Sequence, residues 1–206
     1  MWVCDVIGLN MQRTNMAKLG KQAKILSDRE HKQLIDYCNF TRYSLRNKVM
    51  VLLSFKAGLR AKEISQVRWR MILDPSHEVG DSINLEHIAS KGDNSGRIIP
   101  LNYELKQALI ELKEKTKPDP EDYVLYSQKG KCLKNQAVID WFGKVYKDLR
   151  LQGCSSHSGR RTFGTKLANI INIRELQALM GHSSMNNTSR YIEVNSEAQK
   201  VAINKI

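Results

Sequence analysis

SHSGRR at residues 156–161 and GHSSMNNTSRY at 181–191 decide how this chain is read. They place His157, Arg160, His182 and Tyr191 within 35 residues of one another. Two imidazoles, a guanidinium and a phenol are the groups needed to seize a phosphodiester and attack it with a tyrosine oxygen. His157 and Arg160 stand three apart at the start of a predicted helix. That spacing puts both side chains on one face, with the partial positive charge of the helix N-terminus behind them.

Hydrophobic periodicity and cap signals predict helices over 103–115, 135–150, 158–170, 174–180, 186–193 and 196–205. KPDPED at 117–122 and a short strand at 123–126 interrupt them. Nearer the start, Ser27 and Glu30 have the spacing of a capping box, and a helix is expected over 28–38. A more apolar helix follows over 43–57. Gly58 ends it, and Ala61 to Val67 begins a new short one, so Leu59 and Arg60 occupy a tight corner. SINLEHIAS at 82–90 and RIIPL at 97–101 alternate as strands do, and KGDNSG at 91–96 between them is turn chemistry, with Lys91 at its rim. The expected fold class is therefore mainly α with a small antiparallel β-sheet (α+β). Trp69 and Trp141 are expected in the core.

Residues 1–24 show no clear period and carry Arg13, Lys18, Lys21 and Lys24, which reads as a basic lead. The one boundary expected lies near residue 25, leaving 25–206 as the working domain. At 206 residues, one large domain or two small ones would bury enough apolar surface to fold. No stretch approaches the roughly 18 consecutive apolar residues of a membrane span, and no secretory signal is visible, so a cytoplasmic protein is expected. Cys4, Cys38, Cys132 and Cys154 are scattered, with no CxxC pair and no histidine at zinc-ligand spacing. They are expected to be reduced and buried, with neither a disulfide framework nor a metal site. The 33 Lys and Arg against 21 Asp and Glu give a formal charge of +12. So basic a balance suits an anionic partner, nucleic acid best of all, because counterion release favours phosphate-backbone binding whatever the base sequence.

GLRAKEI at 58–64, the hairpin lysine at 91, HSGRRTF at 157–163 and LMGHSSMNNTSRY at 179–191 occur in this order. Together they resemble the catalytic domain of the tyrosine recombinases, the phage-integrase family, over residues 25 to 206. The most specific parts are the H-x-x-R followed by R-T-F-x-T, and the G-H-S-S with a tyrosine nine positions after its histidine. The resemblance implies that Arg60 and Arg160 clamp the non-bridging oxygens of a scissile phosphate. Lys91 would protonate the leaving 5′ oxygen, His157 would help accept the tyrosine proton, His182 would hydrogen-bond the phosphate, and Tyr191 would be the nucleophile. Glu63 is expected to support Arg60, and Lys62 and Arg161 to contact DNA.

Elementary chemistry agrees with these roles. A phenol with a pKa near about 10 is a poor nucleophile at neutral pH, so it needs a base or a strong positive field beside it. Guanidinium suits the clamp because its planar fork stays charged and meets two oxygens at once. The leaving alkoxide needs a proton, a task for an ammonium. No metal is required, and there is no G-x-x-x-x-G-K-[ST] or G-x-G-x-x-G, so neither ATP nor a nicotinamide is expected as a cofactor.

The resemblance thus implies a site-specific DNA recombinase that cleaves and rejoins strands through a covalent 3′-phosphotyrosyl intermediate. Double-stranded DNA is the partner, and a homo-tetramer on two DNA sites is expected, assembled through the C-terminal helix with Ala198, Val201, Ala202 and Ile206 at helical spacing. Two other classes remain open: a catalytically silent DNA-binding regulator of the same fold, and a type IB-like topoisomerase. Two departures stand out. The family often has leucine where Gly159 stands, which is expected to loosen one helix contact. Many members carry an N-terminal DNA-clamp domain of roughly a hundred residues, where about 24 residues precede the catalytic part here. That leaves either a fragment or a likeness to short forms such as the fimbrial phase invertases.

Overall fold

A computed structural model describes residues 22–86, 96–127, 132–189 and 191. The helix expected over 196–205, the turn with Lys91, the basic lead up to residue 21 and Cys4 lie outside the described residues.

Helix α1 (Asp28–Asn39) starts as the Ser27/Glu30 box requires, each side chain capping the other's backbone. It lays Leu34 and Cys38 against α2 (Ser44–Lys56), the buried centre of the fold. Val49 through Leu53 are fully buried because α1, α4 (Tyr103–Thr116) and α6 (Ser158–Ala168) pack around α2. Gly58 follows with φ +64°, a left-handed turn that a side chain resists. The chain then reverses through the buried Leu59 into α3 (Ala61–Gln66), which packs on α5 (Asn135–Asp148). Strands β1 (Ser82–Leu85) and β2 (Arg97–Pro100) pair antiparallel, Ser82 opposite Pro100 and Leu85 opposite Arg97. The start of β2, at Arg97, reaches α7 (Ile173–Met180), which leads into α8 (Met185–Ser189).

Among the described residues, the helix expectations hold to within a few residues. The strand expected over 123–126 does not form. Its residues make isolated antiparallel bridges instead, Arg68 with Tyr123 and Tyr126 with Cys132, because the neighbouring chain meets them one residue at a time. Trp69, in a single 3₁₀ turn (Trp69–Met71), is core as expected, whereas Trp141 is half-buried on α5. Of the described cysteines, all free, only Cys38 is buried; Cys132 and Cys154 are partly accessible. No helix among the described residues is long and apolar enough to cross a membrane.

Residues 23–26 lie along α6. The Lys24 N–H donates to Gly153 O (2.9 Å), the Leu26 N–H to Thr162 Oγ1 (3.0 Å), and Arg161 Nη1 to Ala23 O (2.7 Å).

Candidate active site

Two close approaches between helices bring the sequence motifs together. A Cβ on Gly58 would overlap the Phe163 ring, so the α2–α3 corner carrying Arg60 sits directly on α6, which carries Arg160. Gly159 lies under α2, where an added Cβ would stand 2.7 Å from Phe55 Cδ2 and overlap Ser54 Oγ. The expectation that glycine loosens this contact is therefore reversed: the missing side chain lets α6 approach more closely than leucine would allow.

Arg60 precedes α3, and its side chain is about one-third exposed (36%). Glu63, one turn on, is fully buried. Its carboxylate accepts the Arg60 backbone N–H at 2.7 Å, Arg60 Nη1 at 2.9 Å, and both Nη groups of Arg97 at 3.0 Å. Arg160 Nη1 lies 3.7 Å from the same carboxylate. Burial alone would raise the Glu63 carboxyl, but the Arg97 fork, the Arg60 N–H and the Arg160 charge outweigh it and hold the group below the ordinary range. Three guanidiniums around one carboxylate leave this end of the site positive.

Arg160 is almost wholly buried (3% exposed), and backbone fixes it. Nη1 donates to Gly58 O at 2.6 Å, and Nη2 donates to Met180 O and to His182 Nε2, the latter at 2.9 Å. Burial and the Arg60 charge push its pKa down to about 10, so it remains a cation at neutral pH. His182 follows Gly181, a left-handed residue (φ +57°) that closes α7. Its Nδ1 lies 2.9 Å from the buried Thr188 Oγ1. Since arginine only donates, Nε2 must be the unprotonated nitrogen and Nδ1 carries the hydrogen. The His182 and Tyr191 rings stack, with centroids 5.7 Å apart and planes 14° from parallel. Gly164 makes room for the phenol, since a Cβ there would stand 2.7 Å from Tyr191 Cδ1.

His157 caps α6, its own N–H donating to Ser155 Oγ at 3.2 Å. Desolvation, then Arg160 and Arg60, lower its pKa, so the ring is neutral near pH 7 and able to take a proton. Arg60, His157, Arg160, His182 and Tyr191 line one groove of about 430 Å³, together with Gln22, Ala23, Ser155, Arg161 and Asn187. Five of the six expected catalytic side chains thus share one surface, and the sixth, Lys91, lies outside the described residues. Lys62 is exposed on α3. Arg161 reaches the groove with one Nη held by Ala23 O.

Arg97 and Thr188 belong to the site although no sequence motif marks them. A buried acid at position 63 needs basic partners, which was a usable signal, but Arg97 is 34 residues away and only the folded hairpin brings it near.

The family model for the phage integrase family matches residues 24–198. The chain belongs to the phage integrase family. Among curated relatives, this family member is 27% identical over 181 residues to tyrosine recombinase XerC of Staphylococcus epidermidis, covering 84% of this chain and 57% of that protein. It is 27% identical over 203 residues to transposase A from transposon Tn554 of Staphylococcus aureus, covering 90% of this chain and 53% of that protein. The chain thus spans somewhat more than half the length of these relatives. Its fold is that of solved integrase-family structures. The XerA recombinase superimposes with a TM-score of 0.70 at 22% identity, covering 88% of this chain and 64% of that one. The Tn1549 transposon integrase, in complex with a circular intermediate DNA, gives 0.72 at 19% identity, covering 89% and 66%.

Proposed function

We propose that this integrase-family chain is a site-specific DNA recombinase that cuts and rejoins strands through Tyr191. The observation carrying this reading is the single groove that gathers Arg60, His157, Arg160, His182 and Tyr191. In the reaction, Tyr191 Oη attacks the scissile phosphorus while the bond to the 5′ oxygen breaks. The phenolic proton passes to the neutral His157. Arg60 and Arg160 meet the charge that builds on the non-bridging oxygens, where losing one preorganised donor commonly costs about 10² to 10³ in rate. His182 stacks on the phenol and adds a polar edge beside Arg160. Lys91 supplies the proton to the departing 5′ oxygen. The product is a 3′-phosphotyrosyl ester and a free 5′ hydroxyl, and attack by a 5′ hydroxyl on that ester rejoins the strand. The ester conserves the energy of the broken bond, so the cycle needs no nucleotide cofactor.

The substrate on this reading is double-stranded DNA. The +12 charge, with Lys62 and Arg161 near the site, and the relatives solved on DNA support it. The working assembly is a homo-tetramer on two DNA sites, joined through the segment after Tyr191. The lambda integrase, a structural relative, was solved as a dimer on its core site.

The test is covalent capture. The chain is incubated with a pool of nicked duplexes of random core sequence, denatured, and the protein-linked DNA is sequenced. The expected result is an adduct with a defined sequence preference that is absent with Tyr191→Phe. Adducts that persist in Tyr191→Phe refute the nucleophile. Binding without any adduct leaves a silent regulator, and relaxation of supercoils without strand exchange between two sites makes the chain a topoisomerase.

A further inference from the structure

Arg97 opens β2 and takes no part in lining the groove, yet it joins two of the pieces that build it. Its side chain is 6% exposed. The two Nη groups form a fork on Glu63, and Nε donates to Leu179 O at 2.9 Å, across 82 residues of chain. Gly181 fits against it, since a Cβ there would stand 2.7 Å from Nη1. Leu179 precedes Met180, whose carbonyl holds Arg160, and Gly181 precedes His182. One guanidinium therefore joins the Arg60 corner to the α7 end that carries His182.

We propose that Arg97 is a positioning residue for strand cleavage, fixing Arg60 and the Arg160–His182 pair relative to each other. The proposal rests on the reading of the Tyr191 groove as a DNA-cleaving site. Its physical basis is competition for a buried carboxylate. Glu63 is fully enclosed and requires counter-charge. With Arg97 present, both oxygens are already satisfied, so Arg160 stays 3.7 Å away on its two backbone carbonyls and Arg60 engages only one oxygen through its side chain. Without Arg97, Glu63 draws both clamp arginines inward, away from the anion. Lysine cannot substitute, because a single ammonium cannot fork onto two carboxylate oxygens and also reach the Leu179 carbonyl.

The test is single-turnover adduct formation on the duplex preferred in the capture experiment, and on the same duplex with its bridging 5′ oxygen replaced by sulfur. A thiolate departs without a proton, so sulfur restores a site lacking its general acid but not one whose clamp is misaligned. Arg97→Lys is expected to bind DNA as the parent does and to form adduct about 10²-fold more slowly, the scale of a misplacement near 1 Å. It should be as slow, relative to the parent, on the sulfur substrate, whereas Lys91→Ala recovers there. Parental rates for Arg97→Lys overturn the proposal. So does sulfur rescue of Arg97→Lys, which would tie Arg97 to leaving-group protonation instead. The milder variant Arg97→Gln keeps Glu63 charged beside Arg60 and Arg160 and retains one amide donor for it, which keeps the question answerable if Arg97→Lys does not fold. It is expected to be slow on both substrates, and parental rates there overturn the proposal as well. An unmodified protein that forms no Tyr191 adduct at all locates the failure in the functional reading and not in Arg97.

Discussion

His182 Nε2 accepts a hydrogen bond from Arg160 Nη2 at 2.9 Å, so the imidazole can join the site only as a neutral ring. A proton on Nε2 would face a guanidinium N–H. Desolvation, then the Arg160, Arg60 and Arg97 charges, push its pKa down to about 4. The unfolded chain binds this proton near pH 6.5 and the folded one does not, so the contribution to stability is complete above about 6.5 and is lost as pH falls toward 4. His157 and His31 are also lowered, mainly by desolvation, and act in the same direction. Urea unfolding midpoints should therefore fall between pH 6.5 and 4, and His182→Gln should flatten that slope. An unchanged slope in the variant would mean that other groups cause it.

The same sign governs the rate. On the proposed mechanism His157 must be neutral to take the phenolic proton, and its pKa lies below the ordinary 6.5 of histidine. The acid limb of kcat/KM for strand cleavage, which reports the free enzyme, should thus have its midpoint under pH 6.5, with no loss from this group at neutrality. His157→Ala should remove that limb and slow cleavage by about 10² to 10⁴, the usual worth of a positioned general base. A limb that survives in the variant would assign the proton to another acceptor.

Glu63 binds the positive cluster together from inside. Glu63→Ala leaves Arg97, with almost no exposed surface, facing no counter-charge, and breaking a buried pair by removing one partner costs about 3–5 kcal/mol. Because the carboxyl is held below its ordinary value, its contribution is complete above about pH 4.5 and is lost as pH falls through the depressed native value. Equilibrium unfolding at pH 7 and at pH 3 should show the variant's deficit shrinking at the lower pH. A deficit independent of pH would mean that packing, and not charge, holds Glu63 in place.

Local signals are legible along the chain because they act over a few residues. The Ser27/Glu30 box and Gly58 each act on helix ends with groups close by, and their helices begin or end there. The His182–Tyr191 spacing was legible for the same reason, since only the short α8 and its flanking turns separate the two. What could not be read was decided by contacts distant in sequence. Tyr123 and Tyr126 have strand-like neighbours but meet single partners at Arg68 and Cys132. Arg97 has the sequence context of an ordinary strand residue, and only the fold delivers it to Glu63 and Leu179. Gly159 reads as a lost side chain until α2 is seen to occupy that space.

That last contact is open to measurement. Gly159→Leu must place a side chain where Ser54 Oγ and the Phe55 ring already stand, and α2 is too enclosed to retreat. Overpacking of a tight core costs about 1–3 kcal/mol, so the variant should unfold at lower urea. The companion change Ser54→Ala relieves the nearest overlap and should restore part of the loss. A fully stable Gly159→Leu protein would show that α6 can shift outward, and the close seat of Arg160 on the Gly58 carbonyl would then be incidental.

Gly164 offers the complementary experiment, in which folding is spared and chemistry is not. Its missing side chain leaves room for the phenol: an added Cβ stands 2.7 Å from Tyr191 Cδ1 and 3.1 Å from Met180 Cε, both of them side-chain atoms that can yield. Alanine also favours a helix interior over glycine by about 1 kcal/mol, which offsets the crowding. Gly164→Ala should therefore unfold near the parental urea concentration and bind DNA with parental affinity. The displaced ring loses its stack on His182 and, on the proposed mechanism, its line of attack, and a displacement of about 1 Å is enough to slow cleavage near 10²-fold. Single-turnover adduct formation beside a binding isotherm separates the two effects. Parental cleavage by Gly164→Ala would mean that Tyr191 reaches its attacking position from elsewhere, and that its stack on His182 belongs to the protein without DNA.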